Sequence, residues 1–164
     1  MLVKDAAREA AEQTLREHWN GVFPVDPVGI AAKLGFNVRI GNLVDDLSGA
    51  IVVEGDSKNI FVSDSDPFER KTFTTAHELG HYMERVGADD DAYSFKDARL
   101  PGSYNLHEFY ADEFAGNLMM PQRDFVRCYR LDMRVPDLAA YFGVSRAAVN
   151  KRITRLRKDG IIDS

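Results

Sequence analysis

Apolar side chains recur at intervals of three to four over residues 3–19, where Val3, Ala6, Ala10, Ala11 and Leu15 fall along one side of a charged, helix-favouring segment. This spacing predicts an amphipathic helix that packs by its alanine-rich stripe. Pro24 and Pro27 interrupt the pattern, Asp26 stands where a helix cap belongs, and Ile30, Ala31 and Leu34 then form a short helical face that Gly35 is placed to end. The period next changes to β-branched and apolar runs at Val38–Ile40, Ser48–Val53 and Asn59–Val62. The turn-forming Glu54-Gly55-Asp56-Ser57 joins the last two. A three-stranded, mainly antiparallel sheet is the expectation, with Ser48–Val53 an edge on which an extended peptide could add.

Helical periodicity resumes after Asp64, Ser65 and Pro67 and runs to about Arg85. Residues 86–103 are polar, with Asp89-Asp90-Asp91 and Pro101-Gly102, and read as a long loop of the kind that carries function in a compact domain. A second strong helix is predicted over Tyr104–Met119, stopping before Pro121, and a shorter one over Arg123–Tyr129.

From Val135 onward, Leu138, Ala139, Phe142, Gly143, Val144 and Ser145, followed by Ala148, Val149, Ile153 and Leu156, have the pattern of a helix-turn-helix. Gly143 falls in the turn and Ser145 at an N-cap. The chain therefore divides into a main domain, 1–134, and a helix-turn-helix-like appendage, 135–164. Arg146, Asn150, Lys151 and Arg155 would face DNA if the appendage read it.

Charge argues against that use. The net −5 conceals +3 over 135–164, from six Lys and Arg against three Asp, and −8 over the rest. An acidic body repels a duplex, so packing or recognition of a protein is the preferred role for the basic helix over direct DNA binding. Length and a 45% hydrophobic content allow one sizeable core. The charged first 19 residues lack the apolar core of a secretory signal and no stretch has the length of a membrane span, so a cytoplasmic protein with no membrane partner is expected. With Cys128 the only cysteine, any metal must be held by His, Asp or Glu.

Such a set is present. His77-Glu78-Leu79-Gly80-His81 is an HExxH sequence, and on a helix its two histidines lie about 40° apart, able to grip one ion. Neutral imidazole suits Zn2+, which lowers the pKa of water toward neutrality, so that Glu78 beside it can act as the catalytic base. A catalytic zinc takes three protein ligands. Glu108 on the next strong helix supplies the third, and Asp112, four residues on and on the same face, supports a ligating histidine from behind. Glu113 lies about 140° away around that helix and is the weaker alternative, and His107 points elsewhere. Ala111, Ala115 and Gly80 are small enough to let the two helices approach closely.

The block HELGH with Glu84 three residues on, followed by LHEFYADEFAGNLMMP, resembles the ImmA/IrrE family of zinc metallopeptidases, and the similarity extends from about Asp26. The resemblance implies an α+β fold in which a helical bundle with a zincin-like site packs on a small antiparallel sheet. It implies a metalloendopeptidase acting on a helix-turn-helix transcriptional repressor, with His77, His81 and Glu108 as zinc ligands and Glu78 as base. Two other readings fit the sequence: a DNA-binding regulator with a structural zinc, and an interaction module of the toxin-antitoxin or phage type.

Overall fold

The computed structural model describes residues 1–44, 47–87, 95–98 and 104–163, and over these the chain is an α+β structure. Helices α1 (Val3–His18) and α2 (Pro27–Lys33) precede the strands β1 (Asn37–Gly41), β2 (Gly49–Glu54) and β3 (Ser57–Ser63). Helix α3 (Phe68–Gly87), strand β4 (Phe95–Ala98) and helix α4 (Leu106–Met119) follow. Three shorter helices complete the chain: α5 (Gln122–Arg130), α6 (Val135–Phe142) and α7 (Arg146–Lys158). Among the described residues, no helix is long and apolar enough to cross a membrane.

The expected elements form, but the sheet differs from the expectation in three ways. It has four strands in the order β1-β3-β2-β4, and it is mixed, not antiparallel, because β1 runs parallel to β3 with Asn37 opposite Asn59 and Gly41 opposite Ser63. The hairpin turn at Gly55, with φ 58°, makes β2 and β3 antiparallel, and β1 then pairs with the second strand of the hairpin, so that β2 itself is part of the crossover. Periodicity marks a strand without marking its partner. The fourth strand lies inside the stretch expected to be loop. Phe95-Lys96-Asp97-Ala98 has little intrinsic strand preference and is recruited by antiparallel pairing with β2, Val53 opposite Phe95 and Ala50 opposite Ala98. Consequently β2 is not an edge. It lies between β3 and β4, and the place expected to receive a peptide strand is taken by the chain itself.

Ile51 and Val53 on β2 and Ile60 and Val62 on β3 alternate into the core, where α3 lies across them. On its other side α3 packs along α4, and α4 in turn receives α1 through the buried Ala7, Ala11 and Leu15. The expected small-residue approach is real: a Cβ at Gly80 would stand 2.9 Å from the Ala111 Cα and 3.1 Å from its carbonyl oxygen. Asp26 caps α2 through its carbonyl, which accepts from the Ile30 N–H, while its side chain makes no capping bond.

Helices α6 and α7 are joined by a short turn. Gly143 adopts φ 67° against Pro24, and the Ser145 hydroxyl caps α7 by accepting from the Ala148 N–H at 3.0 Å. Helix α7 is tied to α4: the guanidinium of Arg152 donates to the Asn117 side-chain oxygen at 3.0 Å, and Arg155 pairs with Glu113 at 2.7 Å.

The helix contact at Gly80 gives the first test. Alanine raises helix propensity by about 1 kcal/mol, but here its methyl would press on backbone, and overpacking costs about 1–3 kcal/mol. Gly80→Ala is expected to lower the urea midpoint, and a stabilised variant would show that α3 and α4 do not approach as described.

Candidate metal centre

One buried turn of α3 carries the candidate chemistry: His77, Glu78 and His81 are all nearly inaccessible, and Glu108 on α4 is buried opposite them. Asn105 places Glu108, because its side-chain oxygen accepts from the N–H groups of both His107 and Glu108 at 3.0 Å and so fixes the first turn of α4. Sequence reasoning missed this cap, although an Asn directly before an apolar helical run is a recognised start signal. The helix accordingly begins at Leu106, two residues later than expected.

The Nε2 atoms of His77 and His81 are 3.2 Å apart, and each lies 3.1 Å from an oxygen of Glu108. Behind this triangle, the Nδ1 of His77 is 2.8 Å from the Asp112 carboxylate. An ionised Asp112 accepts there, which puts a ring hydrogen on Nδ1 and turns Nε2 toward His81 and Glu108. The Tyr104 hydroxyl donates to the second Asp112 oxygen at 3.3 Å. No local pattern announced Tyr104, since its partner lies eight residues away and meets it only in three dimensions.

The remaining candidates separate cleanly. His107 is exposed and faces Glu84 at 2.7 Å, away from the cluster. Glu113 faces Arg155 on the other side of α4. On the sheet side the start of β2 closes over the site: a Cβ at Gly49 would fall 2.4 Å from the Thr74 methyl and 3.2 Å from a Glu78 oxygen, so only glycine allows this approach.

Electrostatics follow from the crowding of acids around a buried ring. Burial alone pushes His77 toward its neutral form, but hydrogen bonds to Asp112 and Glu108 and the nearby Glu78 charge outweigh it, raising its pKa to about 9. Burial, reinforced by Asp112, raises the Tyr104 hydroxyl to about 12. Burial also raises Glu113, against the opposing pull of Arg155.

His77, His81 and Glu108 form a group that could hold a metal ion, one donor atom from each lying within 4.8 Å of the others. The donor set fits such an ion. Bonds of about 2.0–2.1 Å in a tetrahedral site require donors about 3.3 Å apart, close to the separations of 3.1 and 3.2 Å found here. Two neutral nitrogens and one carboxylate would leave a divalent ion partly uncompensated.

Among solved structures, a Mycobacterium tuberculosis transcriptional regulator has a similar fold, with a TM-score of 0.62 and 22% sequence identity. The likeness covers 93% of this chain and 46% of that one, so the chain spans less than half of that protein. No curated protein matches the chain. The model of the IrrE N-terminal-like domain, a peptidase family, matches residues 31–154, a span that contains the HExxH helix, Glu108 and most of α7. The chain therefore belongs to the IrrE N-terminal-like peptidase family, the ImmA/IrrE group that its motifs resemble.

Proposed function

We propose that the chain is a zinc-dependent metalloendopeptidase that cleaves a helix-turn-helix transcriptional repressor. In this reading His77, His81 and Glu108 hold the zinc, Glu78 is the catalytic base, and Asp112 orients His77. The observation that carries it is the buried triangle of two imidazole nitrogens and one carboxylate, with a second glutamate beside it on the same helix turn. A structural zinc site is usually closed by four protein ligands, whereas three leave room for chemistry.

When bound, zinc supplies a Lewis acid that polarises the scissile carbonyl and acidifies water in the site. Glu78 accepts a proton from the attacking water and returns it to the departing amine. Its burial against Gly49 keeps the carboxylate in place and shielded from solvent. The repressor as substrate is what the family resemblance implies, and a transcriptional regulator of similar fold supports such a setting.

A DNA-reading role has less in its favour. In its support two helices are joined by a short turn and Arg146, Asn150 and Lys151 are exposed, but Arg155 is engaged by Glu113 and by the Phe109 ring, and Arg152 is buried on Asn117. We regard residues 135–164 as an appendage docked on the 1–134 domain.

Metal analysis should find about one zinc per chain, falling to near zero in His77→Ala, His81→Ala and Glu108→Ala, whereas Glu113→Ala retains it. Metal loss in Glu113→Ala but not in Glu108→Ala would reverse the ligand assignment. The base is tested separately: Glu78→Gln should keep its zinc and lose about 100-fold or more in cleavage rate, read by comparing cellular protein fragments between the two forms.

Zinc must displace the proton that His77 holds with a pKa of about 9 in the metal-free chain. Calorimetric titration at pH 7 in buffers of different ionisation enthalpy should detect release of about one proton, and apparent affinity should rise with pH up to that pKa. Asp112→Asn removes the carboxylate that fixes the ring and should weaken zinc about 10–100-fold. An affinity independent of pH and of Asp112 would refute this account.

A further inference from the structure

A cavity of about 60 Å³ opens between α4 and α7, lined by Tyr104, Asp112, Glu113, Lys151, Arg152 and Arg155, with Phe73, Gly116, Met120 and Ala148 completing its walls. It is half open to solvent and has room for a carboxylate-sized group. Asp112 belongs to this wall and to the candidate metal centre, since the same side chain accepts from His77 at 2.8 Å, so the cavity adjoins the centre through one shared side chain.

The polar residues of the wall are unequally satisfied. Glu113 is neutralised by Arg155 at 2.7 Å, and Asp112 is engaged by His77 and Tyr104. Arg152 is different. The residue is 6% exposed, its hydrogen-bond partner is the neutral Asn117 amide, and its buried Nε has no acceptor. Among the described residues it makes no close ion pair, an uncommon state for a buried guanidinium, and only the more distant Glu113 and Asp159 charges favour its cationic form. Burial lowers its pKa to about 10, well above neutrality, so the charge persists. Lys151 is exposed beside it. With the two acids already engaged, the cavity presents a net positive, partly desolvated surface built on a planar donor fork.

We infer that this cavity is a specificity subsite for an acidic side chain, Asp or Glu, of the polypeptide bound across the metal centre, with Arg152 as its main donor and Lys151 at its mouth. The inference rests on the peptidase reading of the adjacent site. A guanidinium matches a carboxylate through paired, charge-assisted hydrogen bonds. The preference arises because a carboxylate gives the unpartnered Arg152 Nε a charged acceptor, whereas an amide oxygen is a weaker one and an alkyl group is none.

The test uses the full zinc-loaded chain on a peptide library prepared from a digested proteome, with cleavage sites read by mass spectrometry. Asp and Glu should be enriched about tenfold or more at one fixed position relative to the cut, and Lys151→Glu should abolish or invert that enrichment. For one cleaved acidic peptide and its Gln counterpart, the ratio of kcat/KM values should fall about tenfold in Lys151→Glu and in Arg152→Gln. Because Arg152 is buried, Lys151→Glu, on an exposed turn of α7, decides the matter if Arg152→Gln does not fold. Cleavage with no acidic enrichment, or an enrichment unchanged in Lys151→Glu, would overturn the subsite and leave the peptidase reading standing. A library cut no more by the wild-type chain than by Glu78→Gln would instead overturn the peptidase reading, and the subsite with it.

Discussion

At Gly80 the backbone of α3 lies against that of α4 at Ala111, closer than any other residue would permit. That approach sets the distance from His77 and His81 to Glu108 and Asp112, because each pair projects from one of the two helices within a turn of the contact. Both helices are supported from outside, α3 by the apolar face of β2 and β3 and α4 by the alanine stripe of α1. Rigid elements hold the side chains, and so small shifts in helix packing would be felt directly as changes in donor geometry.

Burying two histidines and two glutamates at one place is expensive unless each finds a partner. The structure offsets the cost by mutual arrangement. Carboxylates face imidazole nitrogens at 2.8–3.1 Å, and the raised pKa of His77 shows how strongly the local field favours positive charge there. A divalent cation would answer all three inward-facing ligand atoms at once.

Helix α4 serves two surfaces. Glu108 and Asp112 face α3, whereas Glu113 and Asn117 face α7 and hold Arg155 and Arg152. The C-terminal helix pair is thus tied to the element that carries part of the candidate metal centre. Two of its cations are committed inward, which is why a helix that looks fit for DNA from its composition presents fewer charges to solvent than its sequence suggests.

Much of this was legible along the chain because it depends on local rules. The HExxH spacing, the matching face of Glu108 and Asp112, the small residues at the helix contact, and the caps at Gly143 and Ser145 all follow from helical periodicity and backbone preference. What the sequence alone left open or misdirected involves partners far apart. The parallel pairing of β1 with β3, the recruitment of Phe95–Ala98 to the edge of β2, and the meeting of Tyr104 with Asp112 are set by which surfaces collide when the core closes. The same holds for Arg152, whose sequence context marks a basic helix and whose burial against the Asn117 amide appears only once α7 docks on α4. Periodicity fixes which side of an element is apolar, but it carries no information about what that side will meet.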